Sequence, residues 1–252
     1  MKRYAIIVAG GIGSRMRENG TLPGDPVAVS IGHNAPPTGL PKQFLCVGGL
    51  PILMQTIRRF AESVDGSLFG TPTVVVLSRV EFPTWERLCR EHHFDTPVQL
   101  VAGGSTRFES VRNGLRVLGS DGLVAIHDGV RPFVSTDLIE RSFRVAAEKG
   151  SAVAAVPVKD SIRLVEGDRN RAVDRRQVRL IQTPQTFQLS LIQQAFRQAA
   201  DRAEDPSDFS DDASVAERAG FPIHLIEGSY DNIKITTPED LLWAEAFLKK
   251  FI

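Results

Sequence analysis

Cysteine is nearly absent from this chain: Cys46 and Cys89 are the only two in 252 residues. They build no disulfide framework and their spacing matches no zinc motif, so both are expected to be buried free thiols. Long apolar runs are missing as well. Nothing approaches the roughly 18 consecutive apolar residues of a membrane span. Lys2 and Arg3 precede an apolar stretch, but glycines and charges interrupt it after about six residues, too soon for a signal-peptide core. The expectation is a soluble cytoplasmic protein. Net charge is lacking too, since 30 basic and 30 acidic side chains cancel. Nothing global therefore points to nucleic acid or a membrane as a partner. A small anionic ligand, which needs only local positive charge, suits the chain better. No internal repeat or low-complexity tract is visible, and no Ser-His-Asp or Cys-His grouping suggests a nucleophilic side chain.

What is present is an alternation of short apolar runs and amphipathic stretches, in a chain that is 42% hydrophobic. Strands are expected at Tyr4–Ala9, Thr73–Ser78, Val98–Val101, Leu123–Ile126 and Ala152–Val156, with helices between them. This predicts an α/β fold: a Rossmann-like, twisted, mainly parallel sheet flanked by helices, as a single domain over residues 1–252. Ligands in such sheets bind beyond the carboxyl ends of the strands. Gly10–Arg15, Gly103–Arg107 and His127–Arg131 all fall there. Regularity breaks at Val158. A strand at Ser161–Val165, a turn at Glu166–Asn170 and a return path over Ala172–Ile181 predict a β-arm at about 158–182. It is rich in arginine and too poor in apolar residues to bury itself, which points to a homodimer. Further strands are expected at Ile223–Ile226 and Asn232–Ile235, then a helix opening at Thr236-Thr237-Pro238.

The chemistry starts at the first strand's exit, Ala9-Gly10-Gly11-Ile12-Gly13-Ser14-Arg15. Bare backbone amides in a glycine turn can approach an anion closely. The third glycine of a dinucleotide fingerprint is missing, and so are the lysine and hydroxyl of a Walker loop. Arg15, with Pro41-Lys42-Gln43 downstream, suggests a triphosphate site of another kind. The Arg17–Leu40 segment between them is either a tolerated insertion or a lid over the triphosphate. In His127-Asp128-Gly129-Val130-Arg131, a carboxylate can hold Mg²⁺ or a hydroxyl, and an arginine can fork onto phosphate. The alternative there is an Asp–Arg pair bracing a turn, with His127 structural. Asp211 and Asp212 read as a helix cap.

Together these blocks resemble the 2-C-methyl-D-erythritol 4-phosphate cytidylyltransferase family. The blocks are Gly10–Met16 with Pro41-Lys42-Gln43, Gly103–Arg107 with Ser110, His127–Pro132, Gln182–Gln185, and Asp231–Lys234 with Pro238-Glu239-Asp240. The resemblance implies that Ala9, Gly10, Gly11 and Gly13 wrap CTP, with Gly103, Gly104, Ser105 and Ser110 reading its base and ribose. It implies that Arg15 and Lys42 stabilise charge at the α-phosphate, with Lys234 as a further catalytic cation. Asp128, Arg131, Thr183 and Lys234 match the pocket for the polyol phosphate. Asp128 also faces CTP and is the candidate Mg²⁺ ligand. Ser161 and Arg175 on the arm match residues that reach a neighbouring subunit. Val130 departs from the alanine common at its place and resembles the ribitol-5-phosphate cytidylyltransferases, which keeps that acceptor open. The remaining alternative is a non-catalytic nucleotide-binding module.

Overall fold

The computed structural model describes residues 1–10, 40–62 and 72–249. Gly11, Gly13, Arg15 and residues 17–39 lie outside the described residues. The described elements begin with β1 (Arg3–Val8), β2 (Cys46–Val47), β3 (Leu50–Pro51), α1 (Ile52–Ala61), β4 (Thr73–Leu77) and α2 (Phe82–Glu91). Then come β5 (Gln99–Ala102), α3 (Arg107–Arg116), β6 (Leu123–Asp128), α4 (Thr136–Lys149) and β7 (Ser151–Pro157). The last are β8 (Ile162–Glu166), β9 (Arg169–Val173), β10 (Arg179–Gln188), α5 (Leu189–Asp201), α6 (Asp212–Arg218), β11 (Leu225–Glu227) and α7 (Pro238–Leu248).

Seven of the described strands form one sheet in the order β11-β7-β10-β6-β1-β4-β5. All neighbours are parallel except β10, which runs antiparallel to both β6 and β7. The inner strands are apolar on both faces because helices cover both. Ala5, Ile7, Val75 and Leu77 point to one side, packing with α1, α2 and α4 through Phe60, Trp85 and Phe143. Tyr4, Ile6, Val74 and Val76 point to the other, against α3, α5 and α6 through Val111, Phe196 and Val215. The chain steps outward from β1 to β4 and β5, then crosses back to place β6 on the other flank of β1. Strand order therefore reverses at β1 and β6, and such a reversal opens a crevice at the strands' carboxyl ends.

Local signals set the helix starts. Thr106 and Glu109 form a reciprocal capping box at α3, Asp211 and Ser214 one at α6, and Thr237 and Asp240 one at α7. Helix α4 stops at Gly150, where φ is +89°. Glycine is required there because a side chain rarely adopts that backbone.

Four expectations are corrected. No strand forms over Asn232–Ile235; the backbone there is irregular, and Ile235 makes one bond to the main chain, N–H to Val130 O at 2.9 Å. The return path from the arm ends instead in a ten-residue strand, β10, at the heart of the sheet. Its register shifts between Ile181 and Gln185. Pro184, which has no N–H for a ladder, falls in that gap. Cys46 is exposed rather than buried because β2 alternates, turning Val47 inward, and Cys89 is only partly buried. The arm itself is a tighter hairpin than expected: β8 and β9 pair from Ile162–Val173 to Glu166–Arg169 around Gly167-Asp168. Trp85 is a core residue, whereas Trp243 is partly exposed and stacks on Phe247.

Candidate active site

The crevice at β1 and β6 gathers residues from five parts of the chain. Ala9 leaves β1 with its N–H bonded to Val76 O at 2.9 Å, and Gly10 follows; both line the cleft. Lys42 stands on a short 3₁₀ turn, Lys42–Phe44. The turn is anchored by the buried Phe44 and by Gln43, whose amide donates to Glu81 at 3.0 Å. Lys42, Arg107 and Lys234 line the cleft, against Asp128 as the lining carboxylate among the described residues. The cleft is locally cationic in a chain with no net charge.

One wall is the turn from Gly103 into α3. The Glu109 carboxylate curls back to accept from the Ser105 N–H at 2.7 Å and from the Ser105 hydroxyl. A Cβ on Gly104 would stand 2.3 Å from the Glu109 Cβ, so only glycine fits beside this cap. Ser110 is buried, and its hydroxyl is already committed. It donates to Thr106 O at 2.9 Å and accepts from the Gly104 N–H at 3.1 Å. Its first task is to brace the turn. Gly103 sits behind, with its N–H on Leu77 O at 2.8 Å. Gly10 is less constrained, since a Cβ there would meet Ser110 and Ser78 at ordinary contact distance.

The opposite wall centres on Asp128, the last residue of β6. Its Oδ2 receives both Lys234 Nζ and Arg131 Nε, each at 3.1 Å, and its Oδ1 lies 3.9 Å from Arg107 Nε. Burial works against this carboxylate, but Lys234, Arg107 and Arg131 hold its pKa well below the usual range. Asp128 stays ionised. Thr183, on β10, accepts the Asp128 N–H on Oγ1 at 3.1 Å. Arg131 also donates to Asn232 O at 2.8 Å. His127 is structural: burial pulls its pKa down to about 4, and its Nε2 bonds Arg131 O at 3.1 Å. A carbonyl only accepts, so Nε2 carries the proton.

Two contributors escaped the sequence reading. Arg107 forks onto Asp212 at 2.8 and 2.7 Å, and Asp212 is fully buried. The helix cap at Asp211 therefore delivers Asp212 as the anchor of a cleft cation. Burial pushes the Asp212 carboxyl up, while the pair keeps Arg107 charged. Gln185 secures that helix start, donating to Asp211 at 2.9 Å and accepting from the Ala213 N–H at 2.8 Å. A polar residue facing in from a strand and an acid following the cap were the available signals.

Comparison with known proteins fits this geometry. A family model described as 2-C-methyl-D-erythritol 4-phosphate cytidylyltransferase matches residues 27–250. The chain belongs to that family. A protein of that name from Bacteroides thetaiotaomicron is 41% identical over 248 residues, spanning 98% of this chain and 100% of the relative. One from Halalkalibacterium halodurans is 40% identical over 249 residues, with 98% and 97% covered. The solved enzyme of that name from Thermus thermophilus superposes with a TM-score of 0.72 at 30% identity, covering 99% and 100% of the two chains.

The fold brings most of the residues expected for a cytidylyltransferase of this family to one place. Ala9, Gly10, Lys42, Ser105, Ser110, Asp128 and Lys234 line the cleft, with Arg131 and Thr183 directly behind Asp128. Ser161 and Arg175 do not join them within the chain: both are exposed at the arm's base, where Arg175 bonds Lys159 O. The described residues contain no group of three potential metal ligands. No described helix is long and apolar enough to cross a membrane.

Proposed function

We propose that the chain is a CTP:2-C-methyl-D-erythritol 4-phosphate cytidylyltransferase, acting as one nucleotidyltransferase domain and serving non-mevalonate isoprenoid precursor synthesis. The observation that carries the reading is the meeting of Lys42 and Lys234 in one cleft, at the carboxyl ends of β1 and β6, in a chain of this family. The acceptor is a phosphate monoester with a second pKa of about 6, so it is already anionic at neutral pH and requires no general base. One of its oxygens bonds to the α-phosphorus of CTP as the bond from that phosphorus to the bridging oxygen breaks in line. Diphosphate leaves with the electron pair. Two anions must approach, and charge builds on the α-phosphoryl oxygens; preorganised cations meet that demand. In this reading Lys42 and Arg15 face the triphosphate. Lys234 and Arg131 hold the acceptor's phosphate, and the Gly103–Ser110 turn faces the nucleoside. The arm would bring Ser161 and Arg175 to the acceptor pocket of a second copy in a homodimer.

Magnesium does not fit Asp128 as a resident ion. Oδ2 already holds two cations and Oδ1 faces a third, so a metal there would meet concentrated like charge. A divalent ion that accompanies CTP is instead expected to ride on the triphosphate oxygens, as Mg²⁺ commonly does.

Val130 lines the cleft and supports keeping ribitol 5-phosphate as the second acceptor. Purified protein with CTP, Mg²⁺ and either acceptor, followed by diphosphate release, tests the reading. Release with methylerythritol phosphate is the expected result. Release with ribitol phosphate alone would move the assignment to that acceptor, and release with neither would favour a binding module.

A further inference from the structure

The segment Asp231–Ile235 carries Lys234 to the cleft without belonging to the sheet. A ladder normally fixes such a backbone; here two anchors bracket the lysine. After it, the Ile235 N–H reaches Val130 O at 2.9 Å. Before it stands Asn232, fully buried, whose side-chain Nδ2 donates to Thr183 O at 2.8 Å. That carbonyl only accepts, so the amide's orientation follows from its partner. The main-chain carbonyl of Asn232 takes Arg131 Nη1 at 2.8 Å, and Thr183 in turn holds the Asp128 N–H. One residue thus joins the supports of all three charged groups that meet at Asp128 Oδ2. Lys234 and Arg131 repel each other across that shared oxygen, so their spacing depends on the backbones that carry them. The Asn232 Oδ1 is buried without a partner, which works against stability. That pattern suits a side chain kept for where it puts its neighbours.

We infer that Asn232 is a positioning residue: its amide, clamped to Thr183, sets the separation of Lys234 and Arg131 about Asp128 and so shapes the acceptor-phosphate pocket. The inference rests on the acceptor-side reading above. Asn232→Ala and Asn232→Asp, the second of matched size, are each made alone and together with Lys234→Ala in the full chain. Displacing a reacting group by about 1 Å typically costs about 100-fold in rate. We therefore expect kcat to fall about 100-fold in either single variant, with KM for CTP within about twofold of the parent. In the Lys234→Ala background the further loss should be under about threefold, since residues acting through one another are not additive. Equal losses in the two backgrounds, or a kcat unchanged in both single variants, overturn the inference. If Asn232→Ala does not fold, the Asp variant carries the test. Calorimetric titration with inorganic phosphate, which stands in for the acceptor's phosphate at Lys234 and Arg131, separates this from the functional reading. We expect affinity about tenfold weaker in the Asn232 variants and no further loss when Lys234 is already alanine. Unchanged affinity for inorganic phosphate overturns the clamp even if the parent turns over neither acceptor, an outcome that would sink the functional reading by itself.

Discussion

The backbone turn from Gly104 to Ser110 is held by bonds between residues at most six apart in sequence, with the Arg107 side chain alone reaching far, to Asp212, whereas the wall around Asp128 joins residues 55, 49 and 101 apart. Both line one cleft and both present polar groups to it. The first is a helix start that closes on itself, and it keeps its shape wherever α3 forms. The second exists only once β6, β10 and the stretch before α7 have been brought together. Cations that repel one another are assembled by the fold, while amides and hydroxyls that satisfy one another are assembled by the local chain.

That contrast can be broken experimentally. The largest effect is expected from Lys234→Ala, which removes a preorganised cation from the long-range wall. Steady-state kinetics should show kcat down by about 100- to 1000-fold. The unfolding midpoint should move little, because Asp128 keeps Arg131 and Arg107. Asp212→Asn comes next. It leaves Arg107 only the more distant Asp128 carboxylate, at 3.9 Å, and urea titration should show a loss of about 3 kcal/mol. That is the low end for breaking such a pair, because the Arg107 side chain is 31% exposed.

Acid should act on the long-range wall through His127. Its folded pKa, about 4, lies below an unfolded value near 6.5. The unfolded chain therefore binds the proton first. The stabilisation is complete above pH 6.5 and is lost as pH falls toward 4, reaching about 2 kcal/mol by pH 5. His127→Gln can still donate to Arg131 O, and its stability should fall less between pH 7 and 5. A parallel slope in both proteins would contradict this. The smallest effect belongs to the local wall. Thr106→Ala removes one half of a capping box and should cost about 1 kcal/mol, read by urea unfolding.

The same contrast explains what the sequence made legible. Thr106 with Glu109, and Thr237 with Asp240, announce helix starts by spacing alone. The apolar runs at β1, β4 and β6 announce buried strands, and the sites at their carboxyl ends follow from the alternation. Strand β10 was hidden because Gln182-Thr183-Pro184-Gln185 is polar and contains a proline. Its burial comes from the neighbours that satisfy those side chains, not from apolar character. Asn232-Ile233-Lys234-Ile235 alternates like a strand yet pairs with none, since its neighbours hold it by the Asn232 side chain and carbonyl and by the Ile235 amide. Arg107 and Asp212 are 105 residues apart, and no local pattern links a cap residue's neighbour to an arginine on another helix. The residue types of the cleft were visible in the sequence; the bonds that orient them were not.

Asp128 Oδ2, with two cations already on it, changes what ligand capture means at this cleft. On the proposed reading, an incoming phosphate does not enter a void; it exchanges places with a resident carboxylate as the counter-ion of an ammonium and a guanidinium. When the product departs, the carboxylate takes them back. Much of the work of stripping solvent from those groups is then done once, as the chain folds, and need not be repeated at every turnover.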